Sequence, residues 1–213
     1  MCAMSSLIDI LEIAIPVVVV GVCIAAFRFY VWWIKSQCVR NTRRLAKQGD
    51  PEGLNGMGIY CQEKGDHAQA VEYFSRAAER GHAEAKALLG HCYLVGEGVE
   101  PSLPRALDLF RAAAEEGSEY GQLYLAECYE DGQGVTPDAH EAVRLYELSA
   151  AQDCSDAQYK LGMCYLRGIG VEADKDRAIE LLQRAAYKLQ GDAARELDEL
   201  GLPYKTLLDD DEQ

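Results

Sequence analysis

A nine-residue pattern recurs three times in the chain at a constant interval. The copies are HCYLVGEGV, ECYEDGQGV and MCYLRGIGV, and they begin at His91, Glu127 and Met163. Their spacing of 36 residues falls within the periods of about 20 to 50 residues that are typical of solenoids. In a solenoid one supersecondary unit is stacked repeatedly on its neighbours. The repeat therefore predicts a stack of similar units.

Each unit is predicted to consist of two helices joined by a glycine turn. Ala85, Leu89 and Cys92 follow the three- and four-residue steps of one helix face. The Gly-x-Gly pair that follows ends this first helix, because Gly adopts the left-handed conformation that a helix C-terminus needs. The valine after the pair is expected to pack the turn onto the core. A later position predicts the N-cap of the second helix; its occupants are Ser102, Asp138 and Asp174. With Glu141, Asp138 is expected to form a capping box.

These motifs resemble the Sel1-like repeat family, which is related to tetratricopeptide repeats. The strongest matches are AKALLGHCYLVGEGV, beginning at Ala85, and AQYKLGMCYLRGIGV, beginning at Ala157. The resemblance covers roughly residues 49–191. It implies an all-α fold, a right-handed α-solenoid of antiparallel helix pairs. It also implies a scaffold or adaptor that binds other proteins rather than an enzyme.

The repeat phase divides the body into four units and two terminal segments. An atypical first repeat at 49–80 lacks the Gly-x-Gly turn, as terminal repeats often differ from the others. The regular repeats are 81–116, 117–152 and 153–188. A capping helix is predicted at 189–202 and an acidic tail at 203–213.

The N-terminal part is apolar. After an N-terminal segment of residues 1–12, residues 13–34 are apolar except for Arg28. As a helix this stretch measures about 33 Å, enough to cross the hydrocarbon core of a bilayer. We therefore expect one transmembrane helix. A cleaved signal peptide is the alternative, but no positive charge precedes the stretch, and the stretch is longer than such peptides have.

The charge distribution orients this predicted span. Residues 1–48 carry a net charge of +4, and the remaining residues carry −18. By the positive-inside rule the N-terminus lies outside and the repeat body in the cytoplasm. The basic juxtamembrane segment, residues 35–48, would contact anionic lipid headgroups, and Cys38 within it is a candidate for acylation. A periplasmic or lumenal body with a cell-envelope role is the alternative. An acidic body argues against nucleic-acid binding.

The cysteines are predicted to be structural. Cys92, Cys128 and Cys164 share one position of the first helix. Equivalent helices in a stack are about 8–10 Å or more apart, whereas a disulfide needs Cα atoms about 4.4–6.8 Å apart. We therefore expect small buried core residues rather than a ladder of disulfides.

The sequence predicts no catalytic, cofactor or metal site. The four histidines show no spacing of a known metal motif; they are His67, His82, His91 and His140. The resemblance extends to cysteine-rich Sel1-type proteins, some of which are linked to binding or hydrolysing β-lactams. A hydrolase of that type is therefore the alternative function. Those proteins have two cysteines in each repeat, whereas the regular repeats here have one matched cysteine each.

Four positions of the first helix vary between the repeats while the core positions stay fixed. Their steps of three, four and three residues place them on one helix face. In tetratricopeptide-like stacks this face lines a concave groove that binds a peptide or partner helix, and the acidic body favours a basic partner. The predicted groove residues are Glu84, Ala87, His91, Leu94, Tyr120, Leu123, Glu127, Glu130, Asp156, Tyr159, Met163 and Leu166. We expect Tyr159, Met163 and Leu166 to be exposed. An ordinary solvated face is the alternative.

Overall fold

The computed structural model describes residues 36–188 and 191–202. Helices account for most of these residues. In chain order they are α1 (36–48), α2 (Pro51–Glu63), α3 (His67–Ala78), α4 (Ala83–Val95), α5 (Leu103–Glu115), α6 (Glu119–Asp131), α7 (Ala139–Ala151), α8 (Ser155–Arg167), α9 (Lys175–Tyr187) and α10 (Gly191–Glu199).

The helices pack as consecutive pairs, as the repeat predicts. The pairs α2–α3, α4–α5, α6–α7 and α8–α9 form the four units, and the second helix of each unit packs against the first helix of the next. Helix α4 also packs directly on α6, whereas successive second helices do not contact one another to a comparable extent. The second and third units are therefore also joined through their first helices. The prediction of an all-α helical solenoid is confirmed.

In the first two pairs a glycine on the first helix packs against a large aromatic ring on the second. A Cβ atom added at Gly58 would lie 2.4 Å from the ring of Phe74, and one added at Gly90 would lie 2.6 Å from the ring of Phe110. Both rings are fully buried. The glycines let the two helix axes approach closely enough for the rings to fill the space between them.

The Gly-x-Gly turn joins neighbouring units as well as ending a helix. Its first glycine is the left-handed C-cap of α4, α6 and α8, which confirms the predicted helix ends. The second glycine lies against the start of the second helix in the preceding unit. A Cβ at Gly98 would lie 2.3 Å from the backbone of His67, and one at Gly170 would lie 2.2 Å from the carbonyl oxygen of Ala139. The motif is therefore also a contact between repeats. The valines after the turn, Val99, Val135 and Val171, are partly buried against the core, as predicted.

The predicted caps of the second helices are mostly present. Asp138 accepts hydrogen bonds from the backbone of His140 and Glu141, and Asp174 accepts one from Arg177. Ser102 occupies the N-cap of α5 without a side-chain hydrogen bond. The capping box is only half formed, because the carboxylate of Glu141 pairs with Arg144 instead of returning to Asp138.

Two terminal helices cover the stack. Helix α1 buries Ala46, and a Cβ at Gly53 of α2 would lie 2.4 Å from the Cβ of Leu45. Helix α10 packs on α9 and fully buries Leu197. Within the described residues no helix combines the length and apolar character needed to cross a bilayer. The predicted segments at 1–12 and 13–34 and the acidic tail at 203–213 lie outside the described residues.

Candidate functional site

The twelve predicted groove residues do not share one environment. Nine are partly or fully accessible, but Ala87, Leu123 and Met163 are 0%, 3% and 8% exposed. Direct packing of α4 on α6 leaves little room beside these helices, and Met163 belongs to a core cluster with Leu182. The expectation that Met163 is exposed is therefore wrong. Tyr159 and Leu166 are partly buried against the same cluster.

We call the accessible remainder, together with Tyr124, the first-helix face. Its members are Glu84, His91, Leu94, Tyr120, Tyr124, Glu127, Glu130, Asp156, Tyr159 and Leu166.

Tyr124 is the centre of an aromatic cluster that the sequence pattern did not identify. Its ring centroid is 5.1 Å from that of His91, 5.2 Å from that of Phe110 and 6.3 Å from that of Tyr120. Tyr124 corresponds to Leu88 and Lys160 in the neighbouring repeats. This position also varies between the repeats. Its variation could therefore have identified Tyr124, which lies one residue beyond the predicted groove position Leu123.

Lys160 links the first helices of two units. Its Nζ atom is 3.1 Å from Oε2 of Glu130 and 3.7 Å from Oε1 of Glu127. The Tyr146 hydroxyl donates a 2.7 Å hydrogen bond to the same Oε2 of Glu130. The carboxylate of Glu130 is thereby held between α7 and α8, which fixes the charge pattern of the face.

Burial and neighbouring charges shift the pKa values of Glu127 on this face and of Glu119 and Lys160 beside it. Burial raises the pKa of the Glu127 carboxyl; Lys160 opposes the rise, while Glu130, Asp131 and Asp156 add to it. The pKa of Glu119 is raised by burial and then by Glu84. Burial acts to lower the pKa of Lys160, but Glu130 and Glu127 reverse this and raise it. Three carboxylates and one cation, Lys160, therefore act on the pKa of Glu127 in addition to burial.

Comparison with known sequences assigns the repeats. The sequence profile of the Sel1 repeat matches residues 51–82, 83–118, 119–154 and 155–188, which is more than half of the chain. The chain belongs to the Sel1 repeat family. No curated protein sequence matches it significantly.

Solved structures are similar over most of the described Sel1 repeats. The chain is similar to a Sel1 repeat protein from Oxalobacter formigenes, with 28% identity, a TM-score of 0.66 and coverage of 78% of this chain and 70% of that one. It is also similar to c5321, a protective antigen of uropathogenic Escherichia coli, with 29% identity, a TM-score of 0.62 and coverage of 78% of this chain and 37% of that one. Cysteine rich protein B of Helicobacter pylori shares the fold at 22% identity and a TM-score of 0.50, over 62% of this chain and 95% of that one.

The Sel1 repeat cysteines are core residues, as predicted. In the described part of the chain all six cysteines are free, and only Cys38 is exposed. Burial raises the pKa of Cys92, Cys128 and Cys164 to about 11, so these thiols stay protonated at neutral pH. Among the described residues no group of histidines, cysteines and carboxylates is placed to hold a metal ion.

The raised pKa of Glu127 gives a pH dependence that can be measured. When the pKa of a carboxyl group is higher in the folded state than in the unfolded state, the free energy of unfolding falls as the pH rises from the unfolded-state pKa through the folded-state pKa. We expect Glu127→Gln to gain stability relative to the wild type as the pH increases from about 4.5, the ordinary value, towards neutrality. Urea unfolding of both proteins across this interval measures the difference. A difference that is constant or shrinks with increasing pH would contradict the assignment.

Proposed function

We propose that the first-helix face binds a basic segment of a partner protein, so that the chain acts as a scaffold or adaptor. Sel1-repeat proteins generally act as protein-interaction scaffolds, and their fold is typically non-catalytic. The observation that carries the proposal for this chain is the crowding of carboxylates around an aromatic cluster. Burial raises the pKa of the Tyr120 hydroxyl, Glu119 adds to the rise, and Cys154, Glu84 and Asp156 add less; the Tyr120 ring stacks on that of Tyr124.

This combination suits arginine and lysine side chains. A cation over an aromatic face gains about 0.5–2 kcal/mol, more as the contact is desolvated. Carboxylates beside the ring add charge-assisted hydrogen bonds and steer a basic segment towards the face. Leu94 and Leu166, which are partly accessible, supply apolar contact at the far end of the same helices. An extended or helical peptide would engage several units at once.

We further propose that residues 13–34 anchor the protein as a single-pass span, with the repeats in the cytoplasm. The apolar stretch and the basic residues after it support this arrangement. After alkaline carbonate extraction, the full chain is expected in the membrane pellet and a chain beginning at residue 36 in the supernatant. Recovery of both in the supernatant would remove the anchor.

Site-specific photo-crosslinking in cells tests the binding face directly, whichever protein the partner is. A photoreactive phenylalanine analogue replaces Tyr120 or Tyr159 on the face, or Leu148 or Tyr187 on the second helices. The control residues are 43% and 39% exposed. We expect discrete protein adducts from the first pair of positions and none from the second pair. Equal adducts from both pairs would contradict a dedicated face.

A further inference from the structure

A cleft between α1 and α2 has a composition unlike that of the rest of the body. It has a volume of about 710 Å³, within the range of small-molecule sites. Three cationic side chains line it, Arg40 and Arg43 from α1 and Lys64 from the end of α2. Glu63 is the carboxylate on the same wall. The cleft therefore carries a local excess of positive charge, whereas residues 49–213 together carry a net charge of −18.

The two arginines are available to a ligand. Within the described residues, neither Arg40 nor Arg43 forms an ion pair with a carboxylate, and both are exposed. Their neighbour Arg44 is instead engaged by the side chain of Asn41. The Nζ atom of Lys64 lies 5.7 Å from the ring centroid of Tyr60, which lines the cleft, and within the described residues it forms no ion pair with a carboxylate.

A smaller apolar cavity continues the cleft along the same helices. It has a volume of about 150 Å³ and shares Cys38, Val39, Tyr60 and the carboxylate Glu63 with the cationic part. Met57 and Ile59 add apolar surface, and the Thr42 hydroxyl beside them donates a 3.0 Å hydrogen bond to the carbonyl oxygen of Cys38. A cationic part next to an apolar part fits a ligand that joins an anionic group to a hydrocarbon.

We propose that this cleft binds the phosphate group of an anionic phospholipid, with the start of an acyl chain in the apolar part. Guanidinium groups pair with phosphate oxygens through two parallel hydrogen bonds, and a lysine adds a point charge. The choice of a lipid rather than a soluble phosphate rests on the proposed anchor. The predicted span ends at residue 34, and α1, which lines the cleft, is described from residue 36. The cleft does not depend on the peptide-binding role, since its residues belong to α1 and α2.

Cys38 provides a local readout, since it is exposed and lines both parts of the cleft. The full chain in nonionic detergent is treated with a thiol alkylating reagent, and modification of Cys38 is followed by peptide mass spectrometry. The probes are dihexanoylphosphatidic acid, dihexanoylphosphatidylcholine and inorganic phosphate. At a probe concentration about ten times the dissociation constant, mass action leaves about one cleft in ten empty, so alkylation should slow about tenfold.

A matched pair of variants separates the cleft from general charge. Arg40→Gln with Arg43→Gln removes two charges that line the cleft, whereas Arg44→Gln with Lys47→Gln removes two charges of α1 that do not. We expect phosphatidic acid to protect Cys38 in the wild type and the second variant but not in the first. Each rate is compared with the same variant without probe, so an altered thiol reactivity cancels.

The other outcomes either show that the ligand is a soluble phosphate rather than a lipid or contradict binding in the cleft. Equal protection by inorganic phosphate would keep the phosphate site and assign it a soluble ligand. Absence of protection in the wild type, equal loss in both variants, or equal protection by phosphatidylcholine would overturn the proposal. Protection of a chain that carbonate extraction releases from the membrane would remove the anchor and leave the cleft, so the two failures are distinguishable.

Discussion

Replacing Gly170 with alanine should lower the free energy of unfolding by about 3 kcal/mol. The residue has a φ angle of +66°, where an L-residue costs about 1–2 kcal/mol. The new Cβ would also lie 2.2 Å from the carbonyl oxygen of Ala139, and such overpacking costs about 1–3 kcal/mol. Because the obstacle is backbone, no side-chain rotation relieves it. Urea unfolding followed by circular dichroism measures the loss.

Gly117→Ala is the matched control for this substitution. Gly117 has a φ angle of +88°, but a Cβ there would meet no atom within 4 Å. It therefore tests the backbone conformation alone, and we expect a loss of about 1–2 kcal/mol. Equal losses at the two positions would show that the contact between repeats contributes nothing.

The Gly170 substitution should also act locally. Repeat proteins gain stability from each unit and from each interface between neighbours. Loss of the contact between Gly170 and α7 should loosen the fourth unit first. Amide hydrogen exchange is expected to accelerate in α8 and α9 and to stay slow in α4 and α5.

Phe110→Ala has the other large expected effect, a loss of about 3–5 kcal/mol. The ring is fully buried, lies over Gly90 and contacts Tyr124 of the next unit. Truncation leaves a cavity that Gly90 has no side chain to fill. Leu148→Ala on α7 is the control: it is 43% exposed, so the change should stay within about 0.5 kcal/mol. Comparable losses from both variants would contradict this packing.

Local sequence chemistry predicted the helices of the regular repeats and their ends. A few adjacent residues determine the Gly-x-Gly turn and the N-caps at Asp138 and Asp174. These helix ends could therefore be predicted from the sequence. The role of Gly98 and Gly170 against the preceding unit was not, because it depends on how closely two units approach. The same holds for Gly53 and Gly58, whose small size serves close packing of α2.

Tertiary packing also explains why part of the predicted groove is buried. The variable stripe included Ala87, Leu123 and Met163, which are buried, because variation does not reveal how much of a helix face the neighbouring helices cover. The bridge from Lys160 to Glu127 and Glu130 joins residues about one repeat apart, and spacing alone did not identify it. A helical face wider than four positions would have included Tyr124.

Charge reversal combined with the crosslinking assay tests whether the first-helix face binds a basic partner. Glu84→Arg with Asp156→Arg reverses two charges of the first-helix face. Asp108→Arg with Glu180→Arg makes the same change in net charge on the second helices α5 and α9. We expect adducts formed from the Tyr159 position to fall at least about fivefold in the first variant and to be unchanged in the second. Equal adducts in both variants, or equal losses in both, would contradict binding of a basic partner at this face.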